Sequence, residues 1–287
     1  MTKKLLILAG GKSSRMKTSE AAAGMSQKDI DTANHKTKGM ITVNNRPFMD
    51  YILYNAYQAG LKEIIILTGE DAREIRDLYG QKDRDNDFHG LKISYAIQYV
   101  PQNREKPLGT ADAVFQAMEQ IPELQEEFFI VCNCDNLYSI EGFKKLIALI
   151  TPNGWLNYDR SGLDFPQEQV EAFAITHTDA EGFLRDIIEK PGAEDVAKFA
   201  DENGTVRVSM NIFKFDGNMI YQHVKNCPLN PKRNEKELPT AILNMVREYP
   251  KSMKGIPICE HVPDLTRKED IIKVRDYLQQ KNINLNW

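Results

Sequence analysis

Leu5-Leu6-Ile7-Leu8-Ala9-Gly10-Gly11-Lys12-Ser13-Ser14-Arg15-Met16 is the stretch on which the fold turns. Two lysines lead into an unbroken apolar run that ends at a glycine pair. A half-buried strand would alternate, whereas an unbroken run suits a strand covered on both faces, as in the middle of a parallel sheet. Glycines directly after such a strand permit a sharp turn and close approach of the backbone to a phosphate chain. Ser13 and Ser14 add hydroxyls, and Arg15 adds a forked cation that fits phosphate oxygens. Two common phosphate loops are excluded. Gly11-Lys12-Ser13 imitates the end of G-x-x-x-x-G-K-S, but the first glycine would fall on Leu6. The dinucleotide pattern G-x-G-x-x-G is absent too. Taken alone, the stretch also reads as an ordinary Gly-Ser turn with a surface arginine.

Outward from this loop the chain alternates. Apolar runs at Glu63–Thr68 and 128–132 predict two more buried strands. Helical spacing predicts helices over 47–60, opened by Pro47 and stopped by Gly60, and over 69–79, 109–118 and 139–150. This pattern predicts an α/β fold, a Rossmann-like doubly wound mixed sheet covered by helices. From Trp155 the grain changes. Strands are expected at 171–176, 183–189 and 206–215 with few helices between them, then helices at 216–224 and 235–248, a strand at 255–261 and a helix at 266–280. That reads as an α+β, acceptor-binding extension of the sheet. No linker or repeat divides the chain. One domain over 1–287 is expected, with a nucleotide-binding half over 1–150 and an acceptor half over 151–287. Segment 81–90 reads as a solvated loop, and the polar segment 12–39 sits where open α/β sheets place their ligands.

Composition sets the outer bounds. The 287 residues are 41% hydrophobic and 27% charged, a globular balance that fills a sizeable core. Lys+Arg number 37 against Asp+Glu 41, a net charge of −4 that argues against a dedicated nucleic-acid binder. No apolar run is long enough for a bilayer span or a signal-peptide core. Four cysteines, with no paired C-x-x-C or clustered histidine, point to neither a disulfide scaffold nor a zinc site. A cytoplasmic enzyme is the expected class.

The loop resembles the L-A-x-G-x-G-x-R-M signature of nucleotidyltransferases, especially sugar-1-phosphate nucleotidylyltransferases. Further pieces follow in that family's order. Residues 38–47 (KGMITVNNRP) resemble K-P-M-L-x-V-x-x-K-P, and 93–98 (ISYAIQ) a strand that ends in a base-reading glutamine. Residues 107–113 (PLGTADA) resemble L-G-T-A-x-A, and 132–136 (CNCDN) stand where the family has x-x-G-D. Glu189-Lys190-Pro191 matches E-K-P, 209–213 (SMNIF) resembles S-x-G-I-Y, and 262–270 (VPDLTRKED) resembles W-x-D-x-x-T-x-E-D. The resemblance spans residues 5 to 271.

It implies attack of a sugar-1-phosphate oxygen on the α-phosphorus of an NTP, giving an NDP-sugar and pyrophosphate. Asp135 and Asp264 would hold Mg²⁺, although Asp135 also suits a turn before Ser139 and Asp264 a helix cap. Arg15 and Lys38 would be the catalytic cations; Lys17, Lys28 and Lys36 are rivals for the second place. Ala9, Gly10, Gly11, Ser13, Ser14, Gln98, Gly109 and Thr110 would contact the nucleotide, with Gln102 a competitor for Gln98. Glu189, Lys190 and Asn211 would bind the sugar phosphate. A homo-oligomer is possible by the same resemblance.

The chain also departs from the pattern. Ser13-Ser14 replaces Gly-Thr, Gly39 replaces a proline, and Cys134 replaces the glycine before the metal-binding aspartate. About twice the family's usual spacing separates Arg15 from Lys38, so the extra residues would be a nucleotide-ordered lid or a partner surface. Alternatives are a molybdopterin or phosphocholine acceptor on the same fold, or a catalytically silent nucleotide-sugar sensor. The charge is uneven: residues 1–38 carry a local +5 and the remainder −9. The basic excess collects on the segment expected to meet a triphosphate.

Overall fold

The computed structural model describes residues 2–171, 173–189, 191–201 and 204–287. In chain order they form β1 (Lys4–Ala9), α1 (Ser14–Thr18), α2 (Gln27–His35), β2 (Thr42–Val43), β3 (Arg46–Pro47), α3 (Phe48–Ala59), β4 (Glu63–Thr68), α4 (Arg73–Tyr79), β5 (Asn86–Phe88) and β6 (Leu91–Ile97). There follow α5 (Thr110–Gln120), β7 (Phe128–Asn133), α6 (Ile140–Ala148), β8 (Asn153–Asp159), α7 (Gln167–Glu171), β9 (Ile175–Thr178), β10 (Leu184–Ile188) and α8 (Ala193–Phe199). The last elements are β11 (Arg207–Asp216), α9 (Gly217–Lys225), α10 (Leu238–Glu248), β12 (Met253–Ile258) and α11 (Asp270–Gln280). The chain has the expected α/β fold. It divides into two compact units interleaved in sequence.

The first unit comprises Lys4–Pro107, Cys132–Phe143 and Pro263–Trp287. β1, β4 and β6 lie parallel, with Leu5 opposite Ile64 and Ile64 opposite Ile93, and β5 adds an antiparallel edge. Leu5, Leu6 and Ile7 are consecutive and all fully buried, so both faces of β1 are covered as the unbroken run predicts. α3 turns Phe48, Met49, Ile52, Leu53 and Ala56 into the core. Each large apolar side chain so buried contributes roughly 1.5–3 kcal/mol. A two-residue turn, Asn44-Asn45, joins β2 to β3 with both residues at positive φ, the conformation a tight hairpin selects.

Two polar segments of this unit are more ordered than their composition implies. Segment 81–90 contains β5, whose Asn86 is buried and donates to the carbonyls of Lys82 and Ile93. Segment 12–39 is largely helical. Ser26 and Asp29 form a reciprocal capping box that starts α2, and Arg275 of α11 pairs with Asp29 at 3.0 Å.

The second unit comprises Leu108–Val131 and Lys144–Val262 together with Thr2 and Lys3. β8 pairs antiparallel with β11 and parallel with β12, while β9 lies between β10 and β11. α5, α9 and α10 pack on one another. β8 is a strand the apolar pattern hides, because its buried residues include Asn153 and Asn157. Asn153 Nδ2 donates to Ser252 O and its Oδ1 accepts from Asp216 N; Asn157 Oδ1 accepts from Thr176. The strand expected at 171–176 starts later, as β9, because α7 occupies its first position. α8 is a helix the sequence pattern did not predict. The helix expected from residue 266 begins at Asp270, whose Oδ2 accepts from the amides of Thr266 and Arg267 and closes the turn ahead of it.

Candidate active site

In the first unit, β1 delivers Ala9, which is buried, and then Gly10. A Cβ at Gly10 would fall 2.7 Å from Gln98 Oε1 and 3.2 Å from Gln98 Cβ, so any larger residue there would displace the Gln98 amide. Gln98 follows β6, is 5% exposed and donates its backbone N–H to Thr68 O; Gln102 is exposed. Gly11 meets nothing, and the residue of the loop at positive φ is Ser13, at φ 56°. Serine thus sits in the left-handed region, which glycine enters more readily. α1 begins at Ser14 and leaves Arg15 exposed, with no ion pair among the described residues.

Lys38 opens a single 3₁₀ turn and is only 9% exposed. Its Nζ donates to Asp135 Oδ2 at 2.6 Å, a charge-assisted bond across 97 positions of sequence. Lys17 and Lys28 are exposed, which separates them from Lys38. Asp135 follows β7, and the next residue, Asn136, bridges antiparallel to Asp264. Leu265 N–H donates to Asp135 O at 2.8 Å, fixing the second strand of this bridge. Three predicted residues, Lys38, Asp135 and Asp264, therefore share one cluster.

Its electrostatics are those of two carboxylates and one cation in a shielded place. Burial pulls the Lys38 ammonium down, but Asp135, and after it Asp264 and Cys134, hold its pKa above the usual lysine range. Burial and then the charge of Asp135 push the Asp264 carboxyl up to about 7, against the pull of Lys38 and Thr266. One lysine does not balance the pair. Two hard oxygen donors short of positive charge suit Mg²⁺, which typically takes one or two carboxylates and completes its shell with substrate phosphates and water. Among the described residues no group of three or more His, Cys, Asp or Glu could hold an ion unaided.

Two departures from the family pattern meet here. A Cβ at Gly39 would fall 3.5 Å from Cys134 Cβ and 2.5 Å from Met49 Cε. The smaller residue in one segment thus faces the larger residue in the other. Burial and Asp135 push the Cys134 thiol up to about 12, so it stays neutral.

The remaining predicted residues belong to the second unit. Gly109 caps α5 at φ 117° and ψ −176°, a region essentially closed to other residues. A Cβ there would lie 2.4 Å from Lys236 O. The Thr110 hydroxyl accepts from Leu238 N–H at 3.0 Å, at the start of α10. Glu189 stands 3.8 Å from Arg233, which also pairs with Glu237 at 2.7 Å. Asn211 sits at φ 57° where the register of β11 slips against β8, a bulge that re-aims the strand. Lys190 lies outside the described residues.

Residues 4–257 match the model of the Nucleotidyl transferase family. The chain belongs to that family. Its relatives include glucose-1-phosphate adenylyltransferase of Bradyrhizobium diazoefficiens, 24% identical over 79% of this chain and 51% of that one. Bifunctional protein GlmU of Staphylococcus saprophyticus is 24% identical over 96% of this chain and 51% of its own length. The chain spans about half the length of these curated relatives. A solved UDP-glucose pyrophosphorylase complexed with UDP-glucose shares the fold, with a TM-score of 0.70 at 17% identity, over 98% of this chain and 100% of that one.

Sequence reasoning missed several residues around these positions. Thr266 Oγ1 donates to both carboxylate oxygens of Asp264, at 3.1 and 2.9 Å, and so orients it. Its place two residues after Asp264 was a readable signal, since a hydroxyl there reaches back in an ordinary turn. Arg233, beside Glu189, sits in a polar loop without a local signature. Lys268 is buried although its sequence neighbours are charged.

Proposed function

We propose that this nucleotidyltransferase-family chain transfers a nucleotidyl group from an NTP to a sugar-1-phosphate, releasing pyrophosphate and forming an NDP-sugar. The observation that supports this best is the cluster of Lys38, Asp135 and Asp264, joined by a 2.6 Å ion pair and a backbone bridge. The acceptor phosphate is ionised at neutral pH, so no residue need act as general base. Catalysis then rests on placement and on neutralising charge at the α-phosphorus and the departing pyrophosphate.

Gln98, buried against Gly10, would offer its amide to the base edge. Arg15, exposed and without an ion pair among the described residues, would meet the triphosphate first. Lys38 would act from a fixed position, because Asp135 already holds its ammonium and little reorganisation is left for the reaction. Asp135 and Asp264 would hold Mg²⁺, which when bound supplies positive charge to the phosphate oxygens. Glu189 and Asn211 would bind acceptor hydroxyls and Lys190 its phosphate, by the family resemblance.

Among the described residues no helix is long and apolar enough to cross a membrane. All four cysteines are free. With NTP as substrate, both fit the cytoplasm as the place of action. The test is pyrophosphate release with each common NTP crossed with a set of sugar-1-phosphates. The proposal expects one or a few productive pairs, all dependent on Mg²⁺. Nucleotide binding without turnover of any pair would overturn it in favour of a sensor.

A further inference from the structure

Lys268 is a buried charge that the proposed reaction does not use. It is 6% exposed, and no carboxylate pairs with it among the described residues. Its Nζ donates to two backbone carbonyls, of Lys17 at 3.0 Å and of Ser19 at 2.5 Å, and its backbone N–H donates to Ser19 Oγ at 3.1 Å. All three bonds land on the C-terminal end of α1. The amide of Ser19 in turn donates to Arg15 O, and that of Lys17 to Ser13 O.

A helix of five residues does not hold itself together in water, and its last carbonyls have no partners of their own. A cation placed there satisfies those carbonyls and opposes the negative end of the helix dipole. Burying an ammonium with only neutral partners is nevertheless costly. A hydroxyl or amide would satisfy the same carbonyls more cheaply, which leaves the positive charge itself to be explained. The charge is well placed for a polyanion next to α1. Lys268 also lies four residues after Asp264, on a turn closed by Asp270.

We infer that Lys268 is a positioning residue for the nucleoside triphosphate, holding α1 so that Arg15 meets the phosphates in register with Asp264. The inference rests on the proposed function. It separates Lys268 from Arg275, whose bond to Asp29 ties the same inserted segment to α11 but touches α2 instead of α1.

The experiment measures equilibrium binding of ATP, GTP, CTP and UTP in turn, then steady-state kinetics with the best pair, for wild type, Lys268→Met, Lys268→Arg and Arg275→Met. Lys268→Met should weaken the NTP by about 10- to 100-fold, the scale of losing one hydrogen bond to a charged group, and leave the sugar-1-phosphate KM unchanged. Lys268→Arg should restore most of the affinity. Arg275→Met should lower the melting temperature without moving NTP affinity. Amide exchange at Lys17 and Ser19 should speed up in Lys268→Met alone. Unchanged NTP binding in Lys268→Met, or equal weakening in Arg275→Met, would overturn the positioning role and leave the proposed function standing. Absence of NTP binding in wild type would overturn both.

Discussion

In the first unit, Lys38 and Asp135 stand 97 positions apart in sequence, yet their side chains meet at 2.6 Å and Asp264 bridges to the neighbouring residue. In the second, Gly109 and Thr110 belong to an equally recognisable motif and meet residues as far away in sequence, but what they meet is backbone. The glycine makes room for Lys236 O, and the threonine hydroxyl accepts from Leu238 N–H. The first set holds charges against one another, whereas the second shapes the backbone. A family signature therefore records two kinds of requirement, one chemical and one steric, and only substitution separates them.

Lys38→Met gives the sharpest contrast. Turnover should fall by roughly 10²- to 10³-fold, the usual loss for one fixed electrostatic partner. The nucleotide-free protein should at the same time bind Mn²⁺ more tightly, because the lysine no longer competes for Asp135. Weaker Mn²⁺ binding in this variant, measured by titration, would break the view of Lys38 and metal as rivals.

Next comes a glycine pair. Gly109→Ala should cost roughly 3 kcal/mol or more, since it combines a forbidden φ with a clash against backbone. Gly11→Ala, which meets nothing, should change stability by no more than about 0.5 kcal/mol. Denaturant melts of the two decide whether steric need or sequence habit keeps each glycine.

Asp264→Asn should stabilise the fold while abolishing turnover. The carboxyl sits at about 7 when folded and at about 3.9 when unfolded. The folded state binds the proton more tightly, so wild-type stability falls as pH rises from about 4 to about 7 and then levels off. The variant lacks that loss. Its melting temperature should exceed wild type by several degrees at about pH 8 and by little at about pH 4. An equal difference at both would show that the charge of Asp264 is not the cause.

A modest effect belongs to Thr110→Val, which removes the acceptor for Leu238 N–H at a cost of about 1 kcal/mol. NTP affinity should not change. A raised NTP KM would move Thr110 from the steric set to the chemical one.

The buried strands at Leu5–Ala9 and Glu63–Thr68 and the helix over Phe48–Ala59 were legible because period and burial agree there, whereas β6 was reached through the resemblance alone. β8 was not, because Asn153 and Asn157 are buried polar residues satisfied by partners distant in sequence. The inserted segment, expected to be a lid or a partner surface, gave no helix for want of apolar spacing, although Ser26 and Asp29 spell out a helix start. Lys38 could be chosen over Lys36 by its register with Met40–Pro47 alone. The closeness of Asp264 to Asp135 rested on resemblance, since no local pattern encodes a bridge between segments so far apart. Lys268 carries no signal at all, because its partners are backbone carbonyls of another segment.

The central claim is that Lys38, Asp135 and Asp264 form the transfer site. Its most direct test is pyrophosphate release by wild type, Asp135→Asn and Asp264→Asn with the productive NTP and sugar-1-phosphate pair, alongside NTP binding. The account predicts near-complete loss of release in both variants, with nucleotide still bound. Release at the wild-type rate in either variant would contradict it.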